Sequence, residues 1–274
     1  MELDIQLLPG MSDKLKGIPS IYYLNLDSEV DRRRYMEKQF EKWNLSNVKR
    51  FSGSKYLVEN YDEWKDILHF PHLITGKPHQ LAASITLSTL EIIKEWLETT
   101  DEKHLILFED DYDLNLIEYW HFDWEFLMKN IPYDWDCIQL GFESTRYIPF
   151  FLYPKDPTST YGPILINRHF AQKLINLHYV KEKYMLIRKY GKYPFNTGYR
   201  PVSLDTFLPF LGKTYQIPLI TQNPYLDKVP KKHHFLCREI YYDWWQNKRD
   251  EFTLTEFFSY GKENDRDMVE FLNY

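Results

Sequence analysis

The stretch His104–Asp113, HLILFEDDYD, decides the reading of this chain. Leu105-Ile106-Leu107-Phe108 is a short run without a polar residue, the pattern of a strand buried on both faces of a sheet. It breaks into Glu109, Asp110, Asp111 and, after Tyr112, Asp113. Four carboxylates within so short a span repel one another, so solvent or a cation must offset their charge. Hard oxygen ligands of this kind suit Mg²⁺ or Mn²⁺. In open α/β sheets ligands bind beyond the carboxyl ends of the strands, where these acids would emerge. The plainer alternative is a strand running into a solvated acidic turn.

Upstream, Ile21–Leu26 reads as a strand. A helix capped by Asp27 or Ser28 follows, with Val30, Tyr35, Met36 and Phe40 on one face. A second strand over Val48–Phe51 completes the opening of a βαβ unit. A helix over Gln80–Leu97 leads into the central strand, and residues 56–78 carry no recognisable chemistry. Downstream, strands are expected at Asp136–Gly141, Tyr161–Ile166 and Thr214–Ile217, with a hairpin or long loop over Arg146–Ser159. A helix starts at Asn167 or Arg168, and further helices are expected near Glu239–Trp245, Thr253–Tyr260 and Asp265–Asn273. Strands alternating with helices predict an α/β fold with a mostly parallel central sheet flanked by helices.

The 274 residues suffice for one large domain, and the simplest reading is a single domain over 1–274. With 43% hydrophobic and 27% charged residues the balance is globular. Aromatic residues reach 18%, which favours a sugar or nucleotide ligand although most rings must be core. The net charge of -6 gives no global field for nucleic acid. Cys137 and Cys237 stand far apart, which suggests a reducing compartment and no disulfide framework. No apolar run approaches the roughly 20 residues of a membrane span, and the acidic start MELDIQLLPGM lacks the basic region of a secretory signal. A soluble, cytoplasmic protein is expected.

Four stretches in order resemble one family. Tyr23–Asp27 with Asp31–Met36, the strand and acids Leu105–Asp111, Tyr161–Leu174, and Pro201-Val202-Ser203-Leu204-Asp205 are similar to the signatures of family-25 glycosyltransferases. These include bacterial lipooligosaccharide and collagen galactosyltransferases. The similarity covers about Ile21 to Gln222. The family's Gly-Cys and Ser-His helix pairs stand here as Ala82-Ala83 and Thr86-Leu87, and Ser203 is inserted before Asp205.

The resemblance implies a GT-A-type nucleotide-binding fold and a metal-dependent transferase. It would move galactose or glucose from a UDP-sugar to a glycan or other hydroxyl acceptor, with inversion, as in lipopolysaccharide biosynthesis. It also implies a nucleotide- and metal-binding half over 20–140, an acceptor and catalytic half over 141–230, and a helical extension over 231–274. Mn²⁺, or Mg²⁺, would neutralise charge developing on the leaving UDP. Asp111 is the first candidate ligand, with Glu109 on the ribose or a metal-bound water. Asp113 competes because Asp111-Tyr112-Asp113 is itself a DxD, and Asp110 can instead fix the turn. His234 is a further candidate ligand from the adjacent pair His233-His234, of which an extended chain would aim only one inward. The alternative there is an exposed polar loop.

Asn25, Leu26, Arg32 and Arg33 sit at the end of the first strand and start of the first helix, a place that favours a nucleotide. Their plain alternative is a solvated charged face paired with Glu29 and Glu37. Asp205 is the candidate general base, with Glu143 second; Asp205 equally suits a helix N-cap. Trp135 and Trp244-Trp245 suit either sugar stacking or packing. Two other functions compete. A Mg²⁺-dependent nucleotidyltransferase or phosphoesterase would need a glycine-rich phosphate loop or denser metal clusters. A non-catalytic carbohydrate-binding module would leave the acids dispensable.

Overall fold

The computed structural model describes residues 13–141, 153–154, 162–187, 203–204, 211–228, 231–251 and 253–258. Strand β1 (Ile21–Asn25) leads through α1 (Val30–Lys42) to β2 (Val48–Ser52). Short helical turns, α2 (Tyr61–Trp64) among them, connect to α3 (Lys77–Thr99) and β3 (His104–Glu109). Next come β4 (Tyr112–Asp113), α4 (Trp124–Asn130), β5 (Cys137–Gln139), β6 (Tyr153–Pro154), β7 (Ile164–Asn167) and α5 (Arg168–His178). A hairpin of β8 (Tyr179–Val180) and β9 (Lys183–Tyr184) precedes β10 (Thr214–Gln216) and β11 (Thr221–Gln222). Helices α6 (Lys232–Asp243) and α7 (Leu254–Phe258) follow.

The central sheet has the order β2-β1-β3-β7-β5-β10-β6. β1 is parallel to β2 and β3, and β5 to β10. β7 runs antiparallel between β3 and β5, and β6 antiparallel at the edge. Five strands therefore share one direction, the mostly parallel α/β sheet expected.

Period-two alternation explains the all-apolar run of β3. Ile106 and Phe108 face the side packed by Met36 and Phe40 of α1. Leu105 and Leu107 face the side packed by Leu87, Leu90 and Trp96 of α3. Both faces are covered, so each of these side chains is buried, worth on the order of 2 kcal/mol apiece in transfer free energy. The aromatic surplus goes to the same purpose. Trp135, Trp244 and Trp245 are all buried core residues, so the packing alternative holds for them.

Three element starts differ from expectation for local reasons. α1 begins after Glu29, with no side-chain cap, and not after Asp27 or Ser28, because the Asp27 carboxylate is taken by Arg50 and Ser52. α3 begins at Lys77, not Gln80, because Gly76 adopts a positive φ of 83° and Pro78 sits in the first turn, where no N–H partner is needed. α6 begins at Lys232, so His233-His234 is helical and not extended. Its inward face carries His234, Arg238 and Tyr242, spaced by four, and that polar period escapes a search for apolar ones. Gly141, just past β5, is required sterically: a Cβ there would lie 1.9 Å from the Ile220 carbonyl oxygen. The backbone of Leu219 and Ile220 crosses at that point and donates to the Leu140 carbonyl at 2.9 and 2.8 Å. The expected loop over Arg146–Ser159 and helix over Asp265–Asn273 lie outside the described residues, save the short β6.

Candidate functional site

From β1 the chain crosses to β2 on one side and later returns to β3 on the other, with α1 and α3 on opposite faces. The carboxyl ends of β1 and β3 therefore flank a topological switch point, where such sheets bind ligands. A cleft of about 490 Å³ opens there. Its lining is apolar at Leu24, Leu26, Leu57, Val58, Leu81 and Ile85. It is polar at Asn25, Glu29, Arg32, Glu109, Asp110 and Lys228.

The acids after β3 do not form a solvated turn. β4 pairs with β11, and Asn223 donates its N–H to the Asp111 carbonyl at 2.7 Å. Asp110, Asp111 and Asp113 are 7%, 6% and 1% exposed. Buried carboxylates need partners, and the protein supplies them. Asp110 accepts from Asn25 Nδ2 at 2.6 Å on one oxygen and from Arg32 at 2.9 Å on the other. Asn25 is itself fixed by Arg50, whose Nε donates to Asn25 Oδ1 at 2.8 Å.

Arg32 reaches further. It lies 3.6 Å from Asp111 and 3.4 Å from Asp227, and it donates twice to the Leu226 carbonyl, each at 3.2 Å. Asp227 holds His234 Nδ1 at 2.7 Å on its other oxygen. A continuous network thus runs from Arg50 on β2 to His234 on α6. Burial opposes the charge on Arg32, but Asp111, Asp110 and Asp227 together outweigh it and hold its proton more tightly than usual. Lys228 pairs with Glu29 at the rim.

Asp113 belongs to a second, separate cluster. Its Oδ1 accepts from the Asn115 N–H at 2.9 Å. Its Oδ2 accepts from Arg238 at 3.1 Å and Tyr242 at 2.9 Å. Arg238 also stacks over the Tyr242 ring at 4.3 Å. Burial, then the Asp113 carboxylate, pushes the Tyr242 phenol well above its ordinary range.

Of the residues nominated from sequence, Asn25, Leu26, Arg32, Glu109 and Asp110 come together on the cleft. Arg33 does not: it projects to solvent and pairs with Glu37 at 2.7 Å, one turn along α1. Asp111 touches Arg32 but is not part of the cleft lining, and Asp113 and His234 lie off it. Asp205 and Glu143 fall outside the described residues. Sequence reasoning missed Asp227, Lys228 and Arg238. For Arg238 a signal existed, the four-residue spacing of His234, Arg238 and Tyr242. Asp227 and Lys228 carry none.

The implied Mn²⁺ or Mg²⁺ finds no preformed centre here. Among the described residues no three His, Cys, Asp or Glu side chains are grouped to hold one ion. The two oxygens of Asp110 are taken by Asn25 and Arg32, and those of Asp227 by Arg32 and His234. The donor set as folded fits a guanidinium, not a metal. Among the described residues no helix is long and apolar enough to cross a membrane. The sequence matches no known protein-family profile, and no curated protein is significantly similar to it.

Proposed function

We propose that the cleft is the donor site of a glycosyltransferase that moves galactose or glucose from a UDP-sugar to a hydroxyl of a glycan. The supporting observation is the cleft itself, placed at the β1/β3 switch point and lined by both apolar and charged side chains. A nucleoside has the matching character: a flat base suits Leu26, Leu57, Val58 and Leu81, while ribose hydroxyls suit Asn25 and the acids. Arg32 and Lys228 are the cations on the lining, and Lys228, exposed at the rim, is the one open to a diphosphate.

In the transfer, the acceptor oxygen bonds to the anomeric carbon as the bond from that carbon to the UDP oxygen breaks. A carboxylate takes the acceptor proton; Asp205 and Glu143 are the nominated bases. The cleft's work is to hold the donor still and shield its diphosphate from water, which lowers the barrier by orientation.

A second reading is favoured by charge. The lining holds four carboxylates, Glu29, Glu59, Glu109 and Asp110, against the two cations. That excess repels a bare diphosphate and tolerates a neutral glycan, as in a non-catalytic carbohydrate-binding module. Calorimetric titration of UDP, and of a neutral galacto-oligosaccharide, separates the two. UDP binding that weakens tenfold or more in Leu81→Asp supports the donor site. Oligosaccharide binding without UDP binding establishes the second reading.

A further inference from the structure

A divalent ion at a strand-end acid cluster neutralises several carboxylates from one point. Here that point is already filled. Arg32 sits 22% exposed, with Asp110, Asp111 and Asp227 at 2.9, 3.6 and 3.4 Å from its two terminal nitrogens. Its Nε and one terminal nitrogen also bind the Leu226 carbonyl, so the planar fork is oriented on both edges. The carboxylates are fixed in turn. Asn25 pins Asp110 and His234 pins Asp227, so both carboxylates stay turned toward the guanidinium. We propose that Arg32 is the built-in counter-ion of this cluster, occupying the place of a divalent cation, so that Asp110, Asp111 and Asp227 take up no metal while the guanidinium is seated.

The inference stands on the ion pairs and does not depend on the donor-site reading; its test contains no nucleotide. Removing the guanidinium leaves three carboxylates without their shared cation; they are not grouped round one ion as they stand, but they are hard oxygens of the kind Mn²⁺ accepts once they close on it.

The experiment is a titration of Mn²⁺ alone into the full chain, followed by the electron paramagnetic resonance of free Mn²⁺ and by thermal melting. Wild type is expected to show no saturable site in the micromolar range. Arg32→Gln is expected to gain one, to melt higher with Mn²⁺ present, and to lose at least tenfold in affinity when Asp111→Asn is added. Should Arg32→Gln fold only with Mn²⁺, the ion has replaced the guanidinium and the inference stands. If it folds under neither condition, Arg32→Lys takes its place. That variant keeps one charge without the fork and is expected to bind Mn²⁺ where wild type does not. Micromolar binding by wild type that Asp111→Asn removes would overturn the inference. So would the absence of any Mn²⁺ site in the folded Arg32 variant.

Discussion

One ten-residue stretch feeds two carboxylate–arginine clusters that behave differently. Asp110 and Asp111 meet Arg32 beside an open cleft, in a network that extends to Asp227 and His234. Asp113, only a few residues on, meets Arg238, Tyr242 and a backbone N–H off the cleft and is itself 1% exposed. The chemistry of the pairs is alike; their access to water is not. Asp113 is sealed and faces no cleft, so a lost donor there leaves a buried carboxylate with nothing to replace it, whereas cleft water can reach Asp110. An acidic run is therefore not one site. Each carboxylate takes its role from the cation and solvent it meets.

The contrast can be broken by mutation, most sharply at Asp113. Asp113→Ala strips Arg238, Tyr242 and the Asn115 N–H of their acceptor at once and, with Arg238 partly solvated, is expected to cost about 2–3 kcal/mol in urea unfolding. Asp110→Ala is expected to cost about 1–2 kcal/mol, because Arg32 keeps Asp111 and Asp227 and water reaches Asn25 from the cleft. Equal losses would dissolve the distinction between the clusters.

Alkaline unfolding sharpens it next. With its phenol pushed up in the folded protein, Tyr242 keeps its proton after the unfolded chain has lost one. The unfolded state then binds fewer protons, so stability is fully present below about pH 10 and falls above it. Tyr242→Phe should cost about 1 kcal/mol at neutral pH and flatten that alkaline fall. A variant with the wild-type alkaline slope would show that the fall originates elsewhere. The smallest expected stability effect is at the rim. Lys228→Ala removes an ammonium whose side chain is 77% exposed, so the change should stay below about 0.5 kcal/mol. UDP affinity should nonetheless drop about tenfold and depend less on salt; unchanged affinity would remove Lys228 from the ligand's path.

Local structure is legible in the sequence where side-chain pattern and backbone agree. The apolar run Leu105–Phe108 could only be a doubly covered strand, and Asn167 caps α5 as its position suggested, accepting the Phe170 N–H at 2.8 Å. Asn25, Leu26 and Arg32 were found because the end of β1 and the start of α1 are adjacent in sequence as well as in space. α6 starts earlier than its apolar pattern suggests because the face it turns to Asp227 and Asp113 carries His234, Arg238 and Tyr242, polar residues that dock by hydrogen bonds. Arg33 was over-read because neighbours on a helix turn about 100° apart, and only Arg32 faces the sheet.

By itself the sequence determined the alternation of strands and helices and the emergence of four acids at the end of a buried strand, since both follow from periodicity within short windows. Only the tertiary structure decided which cation serves which acid. Arg32 stands 78 residues from Asp110 and 195 from Asp227, and Arg238 stands 125 from Asp113. Pairings over such separations leave no local pattern; they exist because the sheet order brings β1, β3 and the segment after β11 to one edge.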